Sequence, residues 1–101
     1  MREYLQHLSV ERGLAGNTVE SYERDLRRYA GWLAARGTST LSDVRETDIS
    51  GFIIALRTGD DEHPPLAVSS AGRAVVAVRG LHAFAHTHGL TGDDAAREVA
   101  P

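Results

Sequence analysis

The chain has 101 residues, of which 42% are hydrophobic and 25% charged, so it fits one globular domain that can bury a core of its own. It has no cysteine, which excludes disulfides, zinc–thiolate sites and a cysteine nucleophile. Its formal net charge of −3 disfavours a strong autonomous nucleic-acid binder, because such domains are usually basic.

The first two predicted helices are amphipathic. The first covers roughly residues 2–12 and stops at Gly13, a residue typical of helix ends. The second begins after Asn17, a predicted N-cap with Glu20 three residues later, and ends near residues 36–37. Their apolar faces are Tyr4, Leu5 and Leu8 in the first helix and Val19, Tyr22, Leu26, Tyr29 and Leu33 in the second.

The third predicted helix starts near residues 45–47, where Glu46 and Asp48 favour the positive end of the helix dipole. It ends by residues 58–59, and a polar, proline-containing surface turn follows over residues 59–65. Its buried stripe is predicted to be Ile49, Phe52, Ile53 and Leu56.

The fourth predicted helix covers about residues 69–88, with Ser69 or Ser70 as its N-cap and Gly89 closing it. In the tail, residues 91–101, the sequence predicts at most one short helical turn. The core face of the fourth helix is predicted to be Ala71, Val75, Val78, Leu81, His82 and Ala85. No stretch alternates with the period of a strand, so the sequence predicts an all-α domain of four helices.

Three motifs resemble those of one protein family. Residues 11–18 read ERGLAGNT and are followed by Tyr22 and Asp25-Leu26, which resembles the ERGLSxNTxxxYxxDL stretch of Xer-type tyrosine recombinases. Further matches are Asp48, Ile49 and Phe52 in the third helix, and Ser70, Arg73, Val78, Arg79, Leu81 and Phe84 in a fourth helix similar to the family's SxxRxLSALRxF. Gly16, Arg45 and Ala95 depart from the family's pattern without changing its order.

The resemblance implies a SAM-like, orthogonal four-helix bundle that forms the N-terminal, core-binding half of a two-domain clamp around DNA. The second and fourth helices would approach the major groove, and residues 1–101 would be one DNA-binding domain without the catalytic domain that holds the tyrosine nucleophile. The parent protein would resolve chromosome dimers by strand exchange, in a tetramer with XerC-like partner protomers. The loop at residues 60–66 is similar to the XerD branch of the family in high-GC Gram-positive bacteria.

The predicted DNA contacts are polar residues of the second and fourth helices. They are Thr18, Ser21, Arg24 and Arg28, on the side away from the apolar stripe of the second helix, and Ser69, Ser70 and Arg73 at the start of the fourth. A solvated face is an equal alternative for the arginines, because Glu20–Arg24 and Glu23–Arg27 have i,i+4 spacing. Gly72 and Gly80 each weaken the helix, which indicates close helix packing or close approach to DNA.

No catalytic, metal or cofactor site is predicted for this chain, which is not expected to be an enzyme by itself. Tyr22 and Tyr29 lie on the apolar stripe, where core packing is favoured over a nucleophile. His82 and His86 have i,i+4 spacing, but the HExxH metalloprotease motif is absent, so core or surface histidines are favoured. No apolar run approaches the roughly 18 residues of a membrane span, nor is the N-terminus a secretory signal, and we expect a cytoplasmic protein.

Two other functions stay open from the residues alone. Residues 43–62 hold six acids against two arginines, so the chain could be a helical protein-interaction module that uses this acidic segment as its surface. A phage or transposon integrase would share the same domain, and would usually add an arm-binding domain upstream.

Overall fold

The computed structural model describes residues 1–99, which form four α-helices and one short 3₁₀-helix, with no strand in this range. The elements are α1 (Arg2–Val10), α2 (Gly16–Ala35), the 3₁₀-helix (Leu41–Asp43), α3 (Glu46–Thr58) and α4 (Val68–Thr87). The predicted all-α, four-helix architecture is confirmed. The predicted turn of the tail occupies residues 95–98, while the end of that prediction, residues 100–101, lies outside the described residues.

The predicted glycine stops are confirmed at the ends of α2, α3 and α4, whereas α1 ends at Val10, three residues before Gly13. Gly13, Gly37, Gly59 and Gly89 follow the four helices and have φ values of 65°, 85°, 78° and 72°. At the end of α2 the Thr38 N–H donates to the Leu33 carbonyl at 2.9 Å, a bond that closes the last turn through the left-handed backbone of Gly37. A side chain at that φ would strain the backbone, so the chain reverses where the glycine stands.

The start of α2 differs from the prediction. The helix begins at Gly16 with Ala15 as N-cap, and the Ala15 carbonyl accepts the Val19 N–H at 3.1 Å. Asn17 therefore lies inside the first turn, where it cannot cap, and the predicted box with Glu20 does not form. The sequence rule chose the best capping side chain, whereas the backbone turns into the helix two residues earlier without any side-chain cap.

The start of α4 is a second correction. Its N-cap is Ala67, so neither Ser69 nor Ser70 caps the helix as predicted. The Leu66 N–H donates to the Leu56 carbonyl at 2.8 Å, which fixes the incoming chain against the end of α3 and starts the helix early. The two serines consequently occupy the first turn of α4.

The predicted start of α3 is confirmed. Arg45 is the N-cap, and Asp48 accepts the Arg45 backbone N–H with its Oδ2 at 2.9 Å. A carboxylate in this position satisfies a free backbone donor and interacts favourably with the helix dipole. The predicted stripe is buried at Ile49, Phe52 and Leu56, and half-buried at Ile53.

The core lies between α2 and α4, with α1, α3 and the tail covering its edges. The rings of Tyr29 and Phe52 lie 4.9 Å apart and join α2 to α3. Each large apolar side chain in this core contributes about 1.5–3 kcal/mol by leaving water. The buried apolar residues include Tyr4 and Leu8 of α1, Leu26, Tyr29 and Leu33 of α2, Ala71, Ala74, Ala77, Val78 and Leu81 of α4, and Ala96 and Val99 of the tail.

The two glycines inside α4 have different environments. A Cβ at Gly80 would overlap the hydroxyl of Tyr4, so this glycine allows α1 to pack closely on α4. A Cβ at Gly72 would meet no atom within 4 Å. Of the two explanations given by the sequence, close helix packing therefore applies to Gly80 and not to Gly72.

Candidate nucleic-acid interface

A surface groove of about 910 Å³ lies between α2, the loop that joins α3 to α4, and the first turns of α4. Four of the seven predicted DNA contacts line it, namely Arg24, Arg28, Ser70 and Arg73. Arg27, which was not among the predicted contacts, lines it as well. The fold thus collects four arginines around one groove, three from α2 and one from α4.

Arg73 is held in place by Asp25. Its Nε donates to Asp25 Oδ2 at 2.8 Å and its Nη2 donates to Oδ1 at 3.0 Å, a two-bond contact between α4 and α2. Asp25 is 6% exposed, whereas the Arg73 side chain is 36% exposed. The hydrogen bond to Asp25 raises the pKa of Arg73 above its ordinary value.

Sequence reasoning missed the role of Asp25. The residue was noted only as part of the first motif, although it lies directly before Leu26 on a helix whose neighbouring positions are buried. A carboxylate at the edge of an apolar stripe needs a cationic partner when it is buried, and this requirement was the available signal. The partner is 48 residues away in the chain, so the sequence does not identify it.

One of the two predicted ion pairs of the α2 arginines does not form. No ion pair joins Glu20 to Arg24 in the described structure, whereas the predicted Glu23–Arg27 pair forms at 3.6 Å. Arg24 is exposed and Arg28 is half-buried, and the buried Nη2 of Arg28 has no hydrogen-bond partner within residues 1–99. Arg24 therefore keeps donors that an external acceptor can use, whereas Arg28 can offer such an acceptor only its other guanidinium nitrogens, because Nη2 is buried.

The other three predicted contacts lie outside the groove. Ser21 donates from its hydroxyl to the Asn17 carbonyl at 3.0 Å, so part of its bonding capacity is used inside α2. Thr18 is half-buried in the first turn of α2, and Ser69 is exposed in the first turn of α4.

An acidic loop forms a second wall of the groove. Asp60, Asp61 and Glu62 line the groove together with His63. Asp60 Oδ1 accepts the backbone N–H groups of Glu62 at 2.8 Å and of His63 at 2.7 Å, and these bonds lower the pKa of Asp60. Asp61 and Glu62 are exposed, and no ion pair involves their side chains in residues 1–99. The site therefore has both basic and acidic walls.

The acids of residues 43–62 do not form one surface. Asp43 and Glu46 line a separate cavity of about 620 Å³ at the N-terminal end of α3, with Asp93 and Glu98 of the tail. The acidic loop follows the C-terminal end of α3, and a helix of this length separates its ends by about 20 Å. The acidic segment that the sequence suggested as one protein-interaction surface is thus divided between the two ends of α3.

The predicted core roles of Tyr29 and His82 are confirmed. The buried Tyr29 hydroxyl and His82 Nε2 form a hydrogen bond at 2.7 Å, and this bond links α2 to α4. Burial raises the pKa of Tyr29 and lowers the pKa of His82. Within the described residues, no three histidine, aspartate or glutamate side chains form a group that could hold a metal ion. None of the helices there is long and apolar enough to cross a membrane.

Comparison with known proteins gives consistent results. The family model described as phage integrase, N-terminal SAM-like domain, matches residues 1–89. The chain is 52% identical to tyrosine recombinase XerD of Mycobacterium tuberculosis over its whole length, covering 33% of that protein. It is 48% identical to XerD of Mycobacterium leprae over 100% of the chain and 42% identical to XerD of Corynebacterium glutamicum over 99%, in each case covering 33% of the relative. The chain thus spans about a third of the length of these curated relatives. No solved structure matches it significantly.

Proposed function

The chain belongs to the family of phage integrase N-terminal SAM-like domains, and we propose that it is the DNA-binding domain of a site-specific tyrosine recombinase of the XerD type. The observation that carries this proposal is the convergence of Arg24, Arg27, Arg28 and Arg73 on one groove in a chain whose net charge is −3. These arginines concentrate cationic donors on the α2 and α4 sides of the groove, which favours phosphate there, while the acids of the loop beside them oppose it.

The two helices that meet at the groove offer different kinds of contact. Arg24 on α2 presents a guanidinium that suits a two-bond contact to phosphate or guanine, and Arg28 can add a single contact beside it. The first turn of α4 has backbone N–H groups without intrahelical acceptors, and its N-cap Ala67 supplies no side-chain cap. A DNA phosphate could bind there, with the hydroxyls of Ser69 and Ser70 beside it. Thr18 and Ser21 would extend the contact along α2.

The parent protein, in this proposal, exchanges DNA strands and resolves chromosome dimers. The relatives are named tyrosine recombinases and are about three times as long, so a further domain would supply the nucleophile and the chemistry. This chain would grip double-stranded DNA without cutting it, beside XerC-like protomers in a tetramer on two duplexes. A recombinase that acts on the bacterial chromosome works in the cytoplasm.

The test is fluorescence anisotropy with a labelled duplex of about 30 base pairs carrying a Xer-type site, beside a scrambled duplex, at low and moderate salt. We expect salt-dependent binding that favours the site. The double variant R24Q/R28Q should lose about tenfold or more in affinity at low salt, because it removes two groups that can reach phosphates. Arg73 is left unchanged in this test because its loss would also break the contact with Asp25.

The matched control is R12Q/R97Q, which removes the same charge from two exposed arginines outside the groove. Circular dichroism of both variants would establish that each is folded. If the wild-type chain binds and both double variants lose affinity equally, the groove is not a DNA-binding site.

A further inference from the structure

The acidic wall of the groove is a built feature of the fold. Asp60 is fixed by two backbone bonds at its carboxylate, and its own N–H donates to the His63 carbonyl at 2.8 Å. The far end of the loop is anchored by Arg57, whose Nη1 donates to the Leu66 carbonyl at 2.8 Å. The loop begins at Gly59, which has a φ of 78° and stands where a Cβ would lie 2.7 Å from Pro65. The loop therefore holds its charges beside the groove in one arrangement.

The two acids that remain available are Asp61 and Glu62. Both are exposed and both line the groove. The side chain of neither residue takes part in the hydrogen bonds that fold the loop. The arginines on the other wall are not neutralised by them, since no ion pair joins the two walls in residues 1–99. A polyanion in the groove would consequently meet the attraction of one wall and the repulsion of the other.

We infer that Asp61 and Glu62 restrain the affinity of the groove for DNA, so that the arginines alone cannot hold a duplex tightly. This inference rests on the proposed function. The sequence-independent part of DNA binding comes from phosphate contacts, and two negative charges beside the phosphates oppose that part directly. A domain restrained in this way binds firmly only when a second domain or a neighbouring protomer adds its own contacts to the same DNA.

The test variant is D61N/E62Q, which removes both charges and keeps the shape of the side chains and the bonds of Asp60. Its control is D93N/E98Q, which makes the same change in net charge at two exposed acids of the tail, beside the N-terminal end of α3 and outside the groove. Anisotropy titrations with a scrambled duplex of about 30 base pairs at low salt should show about fivefold tighter binding for the loop variant. The control should stay within about twofold of the wild type, and the gain of the loop variant should shrink at moderate salt because of screening.

The outcomes separate the inference from the proposed function. If the wild type binds DNA, R24Q/R28Q weakens it and the loop variant behaves like its control, the inference is wrong and the proposed function stands. If neither the wild type nor the loop variant binds at low salt, the proposed function fails and the inference fails with it. Detectable binding by the loop variant alone would support both, because it would reveal a groove that the acids had masked.

Discussion

Replacing Arg73 with methionine removes the two hydrogen bonds that Asp25 accepts and leaves this carboxylate without a partner. Asp25 is 6% exposed, so water cannot fully replace the lost donors. Removing one member of a fully buried ion pair costs about 3–5 kcal/mol. Because the Arg73 side chain is 36% exposed, solvent screens part of the interaction, and we expect R73M to lower the free energy of unfolding by about 2–3 kcal/mol.

Urea unfolding at neutral pH, followed by helical circular dichroism, measures this loss as a lower midpoint with an unchanged m value. In a domain of this size the melting temperature should fall by about 10–20 °C. The double variant D25L/R73M should recover at least half of the lost stability, since replacing both partners by apolar groups removes the uncompensated charge.

A cost below about 0.5 kcal/mol for R73M, the level of an ordinary surface substitution, would refute the reasoning. So would a double variant whose loss equals the sum of the two single losses, because an additive cycle means that the residues do not interact. Arg73 would then be a free surface arginine, and its substitution could be used directly as a test of DNA contact.

Two further predictions concern packing and pH. Gly80→Ala should destabilise the domain by about 1–3 kcal/mol, because the added methyl displaces the buried Tyr4. Gly72→Ala should stabilise it by about 0.5–1 kcal/mol, because the added methyl meets no atom and alanine favours the helix. Thermal melts of the two variants check that the two changes have opposite signs. The pKa of His82 is lowered by burial, so the unfolded chain takes up a proton first and stability should fall as the pH drops below about 6.5. Melting temperatures at pH 7.5 and pH 5 measure this loss, which His82→Gln should reduce; an unchanged pH dependence in that variant would assign the effect to other groups.

The sequence predicted those parts of the fold that depend on local backbone geometry and on side-chain periodicity. The stripes of α2 and α4 were identified because burial selects apolar residues at helical spacing, and the helix ends were identified because Gly37 and its equivalents favour positive φ. The helix starts at Ala15 and Ala67 were not predicted. Neither residue has a capping side chain, so these starts are set by how the preceding chain packs and leave no local signal.

The site was predicted only in outline. The sequence placed Arg24, Arg28, Ser70 and Arg73 among the DNA contacts, and the fold brings these four to one groove. It did not predict that an acidic wall faces them, because residues 60–62 were interpreted as part of a turn and their place beside α2 depends on the path of the loop. Pairs such as Arg73 with Asp25 depend on tertiary packing, which i,i+4 rules do not describe.

The contact with Asp25 also bears on how Arg73 could take part in DNA binding. Nε and Nη2 are used by the carboxylate, whereas Nη1 has no acceptor in the described part of the chain, and the side chain is partly exposed beside the groove. An arginine held by two bonds has already lost most of its rotamer freedom, so a phosphate that contacts Nη1 would meet a donor ordered in advance. In this arrangement the same residue also joins α2 to α4. Loss of Arg73 should therefore reduce DNA affinity more than the loss of one phosphate contact, because it also removes one of the bonds, beside that of Tyr29 with His82, that hold α2 against α4.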